Sequence, residues 1–224
     1  MNGRLHIILG TPGSERRALL SKFLAKNEQT DPFCFLLAPE LKSMSTPYSN
    51  WAWNQNKFEF KGLPESSEVD FFLFFSNQVD LADQFEAVLE LLADEKDLSM
   101  GRIILFLNST LLPEANPQLT AWIDAAGHFS DAICFTHRKN ENAMAISQCK
   151  ERFQTMKYPL ETYVLGGKKL GALDTILNTN PRRITHLFDP PDLLEEDDSP
   201  ENDPYLAKLA NGKRVRPVPS PFHS

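Results

Sequence analysis

Short apolar runs that alternate with helical patterns constrain the fold of this chain more than any other feature. The runs are nearly continuous in apolar residues, which is typical of strands buried on both faces of a sheet. They are expected as strands at Leu5–Leu9, Phe33–Ala38, Val69–Phe75, Ile103–Asn108, Ala132–Thr136 and Thr162–Leu165. Helices are expected near Ser14–Lys26, Leu81–Asp94, Pro117–Gly127, Glu141–Met156 and Leu170–Leu177. We therefore predict an α/β fold with a mostly parallel sheet that helices cover on both faces.

The segment after the first strand has the layout of a phosphate-binding P-loop. Such a loop needs a buried strand, a tight turn and a helix that opens directly after the turn. The consensus is G-x-x-x-x-G-K-[ST]. Gly10 fills its first position, but Glu15 replaces the second Gly and Arg16 replaces the Lys. Arg17 replaces the Ser or Thr. We interpret as a phosphate-loop remnant the residues Gly10, Thr11, Pro12, Gly13, Ser14, Glu15, Arg16 and Arg17.

These replacements remove chemistry that a nucleotide hydrolase needs. The second Gly lets backbone N–H groups approach the phosphates, whereas Glu15 adds a side chain and a negative charge. The Lys contacts the outer phosphates, and Arg16 is a longer, planar cation that does not substitute for it conservatively. Arg17 has no oxygen to bind magnesium. We therefore predict no magnesium-dependent GTP hydrolysis and only weak phosphate binding. A plain strand–turn–helix stays open as the alternative.

The same segment resembles a known family once its residues are aligned. Residues 10–24 read G-T-P-G-S-E-R-R-A-L-L-S-K-F-L. They are similar to the first loop of the CobW-like family of P-loop GTPases and metal chaperones, G-F-L-G-A-G-K-T-T-L-L-N-R-L-L. The alignment has no gap and matches at Gly10, Gly13, Leu19, Leu20 and Leu24. The resemblance covers roughly residues 3–178 by order and spacing, and it implies a P-loop-type three-layer sandwich.

Other motifs of that family are degenerate or missing here. Phe75 stands in place of the acid of the family's E-T-S-G-like switch, and Gln78 stands in place of its glycine. The family's base-reading N-K-x-D motif is replaced by a base-motif remnant, Thr136, His137, Arg138 and Lys139. The C-x-C-C metal motif is absent from the sequence. The resemblance therefore implies a nucleotide-binding fold without its hydrolytic groups, and we assign no catalytic residue and no metal site.

The charge distribution argues against a nucleic-acid surface. Residues 189–203 hold eight acids and no base, which leaves 22 of the 30 acids against 23 Lys and Arg. A nearly neutral body lacks the basic footprint of a nucleic-acid-binding protein. No apolar run reaches membrane-spanning length, so we expect no membrane partner. Cys34, Cys134 and Cys149 are widely spaced, and with no signal sequence evident we expect reduced thiols and a cytoplasmic location.

The C-terminal residues differ in composition from the rest of the chain. We predict a P-loop-like domain over residues 1–188 and an acidic, then basic and Pro-rich, tail over residues 189–224. The tail is expected to be extended and largely unpacked, with Tyr205–Leu209 and Val215–Phe222 as segments that order on a protein partner. The alternative is a tail that folds back, so that its basic end meets acids of its own domain.

Several further features have a structural and a functional interpretation. Trp51 and Trp53 lie two residues apart and share a face in an extended segment, which favours a packed hairpin over an exposed aromatic anchor. The loop at residues 166–169 is either a simple turn or a loop that backs a nucleotide base. His128, His137 and His186 have no metal-ligand spacing.

Three functional hypotheses remain open from the sequence. The first is a P-loop GTPase-like protein that has lost GTP hydrolysis and acts as a binding or regulatory partner of another protein, partly through its tail. The second is a divergent but active nucleotide hydrolase in which Arg16 substitutes for the usual Lys. The third is an unrelated α/β interaction protein. No cofactor is certain, although a weakly bound nucleotide or phosphate fits the loop remnant.

Overall fold

The computed structural model describes residues 1–24, 32–41, 47–64, 68–165, 175–177, 180–195 and 197–222. Its strands are β1 (Gly3–Gly10), β2 (Phe33–Leu37), β3 (Tyr48–Asn54), β4 (Lys57–Lys61), β5 (Val69–Phe74), β6 (Leu98–Asn108), β7 (Ala132–Thr136) and β8 (Glu161–Val164). Its helices are α1 (Arg16–Leu24), α2 (Leu81–Asp94), α3 (Pro117–Phe129) and α4 (Ala143–Thr155), with short 3-10 turns at Ser109–Leu111 and Pro191–Leu193.

The strands form one mostly parallel sheet in the order β4-β3-β2-β5-β1-β6-β7-β8. Parallel registers join β2 to β3 and to β5, and likewise join β7 to β6 and to β8. β3 and β4 form an antiparallel pair. β5, β1 and β6 occupy central positions, as their continuous apolar runs predicted. Every residue of β7 is buried, which means that both faces of this strand are covered. The predicted α/β fold class is therefore confirmed.

The chain divides into two compact units. The first unit comprises Met1–His6, Asp31–Met100 and Thr185–Ser224, and contains β2 to β5, α2 and the C-terminal residues. The second unit comprises Ile7–Thr30 and Gly101–Ile184, and contains the loop after β1 together with α1, α3, α4, β7 and β8. A domain boundary between residues 188 and 189 stays a prediction.

The tryptophan segment is a tight hairpin in the first unit. Gln55 and Asn56 both have positive φ, 47° and 60°, which is the backbone of a two-residue type I′ turn between β3 and β4. Trp51 is 2% exposed, and its indole N–H donates to the carbonyl oxygen of Phe74 at 3.2 Å. The indole N–H thus has the partner that a buried tryptophan requires. The packed-hairpin interpretation of Trp51 is confirmed.

Part of the described C-terminal segment is packed, although most of its residues are exposed or half-buried, and for that part the structure differs from the expectation of a largely unpacked tail. Tyr205 and Leu206 are each only 2% exposed, and Val218 is buried. Arg214 forms ion pairs with α2, which resembles the fold-back alternative, in which the basic end meets acids of its own domain. The physical reason is that acids on α2 attract the basic residues and so bring the neighbouring apolar side chains out of water. Along the described part of the chain, no helix combines the length and apolarity needed to cross a membrane.

Candidate functional site

The loop that follows β1 is a tight turn held by backbone hydrogen bonds within the second unit. The Thr11 N–H donates to the carbonyl oxygen of Phe106 at 3.1 Å, and the Ser14 N–H donates to the carbonyl oxygen of Thr11 at 3.2 Å. Gly13 adopts a left-handed conformation with φ at 69°. α1 then begins at Arg16, so the predicted strand–loop–helix arrangement is present. Two of the loop's N–H groups are therefore already used inside the protein.

Gly10 is the one residue of the consensus that the loop retains, and the structure shows why it must be small. A Cβ atom placed on Gly10 would lie 2.7 Å from the Arg16 Cδ and 2.7 Å from the Ser14 Oγ. Contacts this short do not occur between ordinary side chains, so a larger residue would displace both groups. The space next to Gly10 is therefore filled by side chains of the loop and of α1.

Arg16 stands at the consensus lysine position, but its side chain turns back toward β1. It is only 6% exposed, and its Nη1 donates a 2.7 Å hydrogen bond to the carbonyl oxygen of Ile8. A hydrogen bond from a charged donor in a buried place contributes more to folding than a bond between neutral groups. The geometry thus makes Arg16 a structural group that links the first turn of α1 to β1.

Glu15 occupies the position of the second consensus glycine and keeps a glycine-like backbone. Its φ is 56°, in the left-handed region that costs an ordinary residue roughly 1–2 kcal/mol. Its side chain is exposed, and its Oε1 lies 3.8 Å from the Nε2 of His137. The backbone at position 15 therefore has the left-handed conformation that favours glycine, but the residue there carries a carboxylate.

The base-motif remnant meets the phosphate-loop remnant through one side chain. The Nε2 of His137 lies 2.9 Å from the carbonyl oxygen of Gly13, a distance at which the ring N–H donates to that oxygen. Thr136 is buried and its hydroxyl donates to the carbonyl oxygen of Leu107 at 3.4 Å. Arg138 and Lys139 are exposed. The structure therefore brings His137 to the loop and leaves the two basic side chains that follow it in solvent.

Two asparagines that the sequence analysis did not single out hold this arrangement together. Asn108 follows the apolar run of β6, and its Nδ2 donates to the carbonyl oxygen of Pro12 at 3.2 Å. Its backbone N–H donates to the Thr11 hydroxyl oxygen at 2.8 Å. Asn142 is buried and bridges the turn after β7, because its Nδ2 donates to the His137 carbonyl oxygen at 3.0 Å. A polar residue at the end of a buried strand was the available signal for Asn108.

The other candidate groups contribute no chemistry to this loop. Burial raises the pKa of Cys34 to about 11 and that of Cys149 to about 12, so these thiols stay protonated near neutral pH. Burial also raises the pKa of Cys134. Among the residues that the structure describes, no three His, Cys, Asp or Glu side chains are grouped to hold a metal ion. Residues 166–169 lie outside the described part of the chain.

The histidines and the switch-position residues lie in different surroundings. His128 is buried against Phe129, with ring centroids 4.9 Å apart, whereas the Nδ1 of His186 is 3.0 Å from an oxygen of Asp189. Phe75, which stands where the family has an acid, belongs to the first unit and packs against Phe85 at 4.9 Å between ring centroids. Phe75 therefore has a core-packing role.

Comparison with known proteins gives a distant likeness. No protein-family model and no curated protein matches the sequence. The Zn(II)-bound YjiA GTPase from E. coli is similar in structure, with a TM-score of 0.47 and 10% sequence identity over 81% of this chain and 67% of that chain. A Zn(II)-bound triple mutant of YjiA GTPase gives 0.48 and 12% over the same shares. Likeness at this level carries no inference about binding or catalysis, and the fold assignment rests on the sheet described above.

Proposed function

We propose that this chain is a P-loop-fold protein that does not hydrolyse GTP and acts as a binding or regulatory partner of another protein. The observation that carries the proposal is the buried guanidinium of Arg16, whose Nη1 donates to the carbonyl oxygen of Ile8. Phosphoryl transfer depends on a cation and a magnesium ion placed against the outer phosphates. Because the Arg16 guanidinium is hydrogen-bonded to a backbone carbonyl oxygen of β1, it supports folding instead of phosphoryl transfer.

The neighbouring positions support the same proposal. Arg17 has no oxygen that could bind magnesium, and Glu15 adds a negative charge where phosphate oxygens would approach. Hydrogen bonds within the protein also hold the loop in place. Asn108 donates to the Pro12 carbonyl oxygen, and the Nε2 of His137 is within hydrogen-bond distance of the Gly13 carbonyl oxygen. Such a loop fits weak phosphate binding better than tight nucleotide binding.

A protein is the partner class that we propose, in a cytoplasmic setting. The nearly neutral body argues against nucleic acid, since that ligand requires a clustered basic surface. The three buried cysteines with raised pKa values suit a reducing compartment, where thiols need no disulfide partner.

A phosphate-release assay and a GTP-binding titration on three proteins test the proposal. The wild type is compared with Arg16→Ala and with the triple variant Glu15→Gly, Arg16→Lys and Arg17→Thr, which restores the consensus. We expect wild-type GTP turnover at the buffer background with and without magnesium, and measurable GTP binding by the triple variant. Magnesium-dependent turnover of the wild type that Arg16→Ala abolishes would support the divergent hydrolase instead. A folded triple variant that binds no nucleotide would support the unrelated α/β protein.

A further inference from the structure

The C-terminal residues 203–218, called the strap below, form a closed loop within the first unit. Lys208 and Arg214 pair as an isolated bridge, and the Val215 N–H donates to the carbonyl oxygen of Ala207 at 2.9 Å. The carboxylate of Asp203 accepts from the backbone N–H of Tyr205 at 2.9 Å, which fixes the entry to the loop. The strap therefore has internal hydrogen bonds of its own before it contacts α2.

Arg214 joins the strap to two carboxylates of α2. Its guanidinium donates to both oxygens of Glu86, at 2.6 and 2.7 Å, and it also donates to Asp83. The same guanidinium donates to the carbonyl oxygen of Leu206 at 2.7 Å. Lys208 adds a 2.8 Å ion pair to Glu86. The side chain of Arg214 is 11% exposed, whereas Asp83 and Glu86 are 39% and 28% exposed, so salt still reaches this forked contact in part.

Apolar contacts accompany these ion pairs. Tyr205 and Leu206 are buried, and the guanidinium carbon of Arg216 lies 4.6 Å from the centre of the Tyr205 ring. Just before the acidic run, Phe188 packs against Phe85 of α2 with ring centroids 5.6 Å apart. The C-terminal segment thus contacts the first two turns of α2 through charge and through aromatic packing.

The same two turns of α2 also hold the loop after β5. Gln84 is fully buried, and its Oε1 accepts from the Ser76 N–H at 2.8 Å while its Nε2 donates to the Ser76 carbonyl oxygen at 3.0 Å. Phe85 packs on Phe75, and the Ser76 hydroxyl accepts from the Gln78 N–H at 2.9 Å. Neighbouring residues of one helix therefore touch the strap and the loop at residues 75–78.

We propose that the strap locks α2 and the loop at residues 75–78 in one conformation, and that displacing Arg214 from Asp83 and Glu86 releases both. The acidic pair on α2 is then a docking surface that is occupied by this chain's own strap. A partner that displaces the strap must present a cation with matching geometry, such as an arginine-bearing peptide, and must bind the released state more tightly than the strap does. This inference is independent of any nucleotide chemistry.

Hydrogen exchange measured by mass spectrometry on the full chain tests the strap. Arg214→Gln removes the forked contact, and Lys213→Gln is the matched control because it removes one positive charge from an exposed position of the same segment. We expect exchange at residues 76–78 and 205–215 to be about tenfold faster in Arg214→Gln and unchanged in Lys213→Gln. In the wild type, raising the salt concentration should speed exchange in the same two segments.

Three outcomes would overturn the proposal. Unchanged exchange in Arg214→Gln would show that the ion pairs do not hold the strap. Faster exchange in the strap alone would show that it is not coupled to residues 76–78. If Arg214→Gln unfolds the whole chain, Glu86→Gln and the salt series on the wild type replace it. In that case, a wild-type protein whose exchange at residues 76–78 is independent of salt contradicts the proposal.

Discussion

Two arginines, one buried and one half-buried, illustrate how differently the two units of this protein use the same side chain. In the second unit, Arg16 lies at a position that a P-loop reserves for a phosphate-binding lysine, and its guanidinium donates to the carbonyl oxygen of Ile8. In the first unit, Arg214 lies in a tail whose composition suggests disorder, yet it binds Glu86 and Asp83 of α2. The groups that Arg16 and Arg214 contact therefore indicate their roles better than motif position or local composition does.

The comparison also separates two kinds of electrostatic contact. The contact of the Arg16 Nη1 with the Ile8 carbonyl oxygen is a buried contact between a charge and a dipole, so salt should affect this contact little. Arg214 has partly exposed carboxylates as its partners, so its contribution should fall with salt and with acid.

The largest effect is expected at Arg16. Arg16→Met keeps most of the side chain's length but removes its donors, which leaves the Ile8 carbonyl oxygen with one acceptor site unfilled. We expect the free energy of unfolding to fall by about 2 kcal/mol in urea denaturation without nucleotide. Arg17→Met is the control at a more exposed position, and its loss in the free energy of unfolding should be clearly smaller. Equal losses of stability in the two variants would contradict the structural role assigned to Arg16.

Arg214→Gln should have the next largest effect. Because Glu86 and Asp83 are partly exposed, we expect a loss of about 1–2 kcal/mol in the free energy of unfolding, below that for breaking a fully buried pair. The loss should shrink in high salt, whereas the Arg16→Met loss should not. Lys213→Gln should change stability by less than about 0.5 kcal/mol. A salt-independent loss at Arg214 would make the two arginines alike and contradict the comparison.

Glu15→Gly should stabilise the protein by about 1 kcal/mol. Glycine adopts a φ of 56° without the penalty that a side chain brings. Glu15→Ala keeps the left-handed strain and removes only the carboxylate, so it separates backbone strain from charge. Thermal unfolding of both variants measures the difference. If alanine stabilises as much as glycine does, the charge and not the backbone conformation is the cause.

The smallest effect is expected from pH. Burial raises the pKa of Glu86, but hydrogen bonds from Arg214 and Lys208 outweigh it and leave the pKa below its ordinary value. A lowered folded-state pKa gives stability that is complete above the unfolded pKa of about 4.3 and is lost as the pH falls through the folded pKa. Acid should therefore loosen the strap below about pH 4.3, and Glu86→Gln should flatten that dependence in a pH series of unfolding curves.

Much of the fold, but less of the site, could be predicted from the sequence. The continuous apolar runs located the central strands because complete burial on both faces leaves a pattern that a single chain displays. The same runs also placed Gly10 and His137 at the carboxyl ends of predicted strands. The direction of the Arg16 side chain could not be predicted from the sequence. A long side chain at the start of a helix can extend toward solvent or toward the preceding strand, and the local sequence does not distinguish the two.

The C-terminal segment shows why composition misleads. Its acids and prolines are typical of disorder, but Tyr205 and Leu206 are buried and Arg214 contacts Glu86 of α2. That contact joins residues far apart in sequence, and no local pattern encodes it. The role of Asn108 was missed for the same reason, because its partner Pro12 lies far away in the sequence. Asn142 differs, since it stabilises the backbone of its own turn at His137.

Calorimetric titration of the wild type with GTP, with and without magnesium, tests the central claim most directly. If Arg16 is a structural group, GTP should give no saturable heat up to about 1 mM, and magnesium should make no difference. A dissociation constant in the micromolar range that requires magnesium and is lost in Arg16→Ala would contradict the account. Such a result would show that Arg16 leaves the Ile8 carbonyl oxygen and binds phosphate.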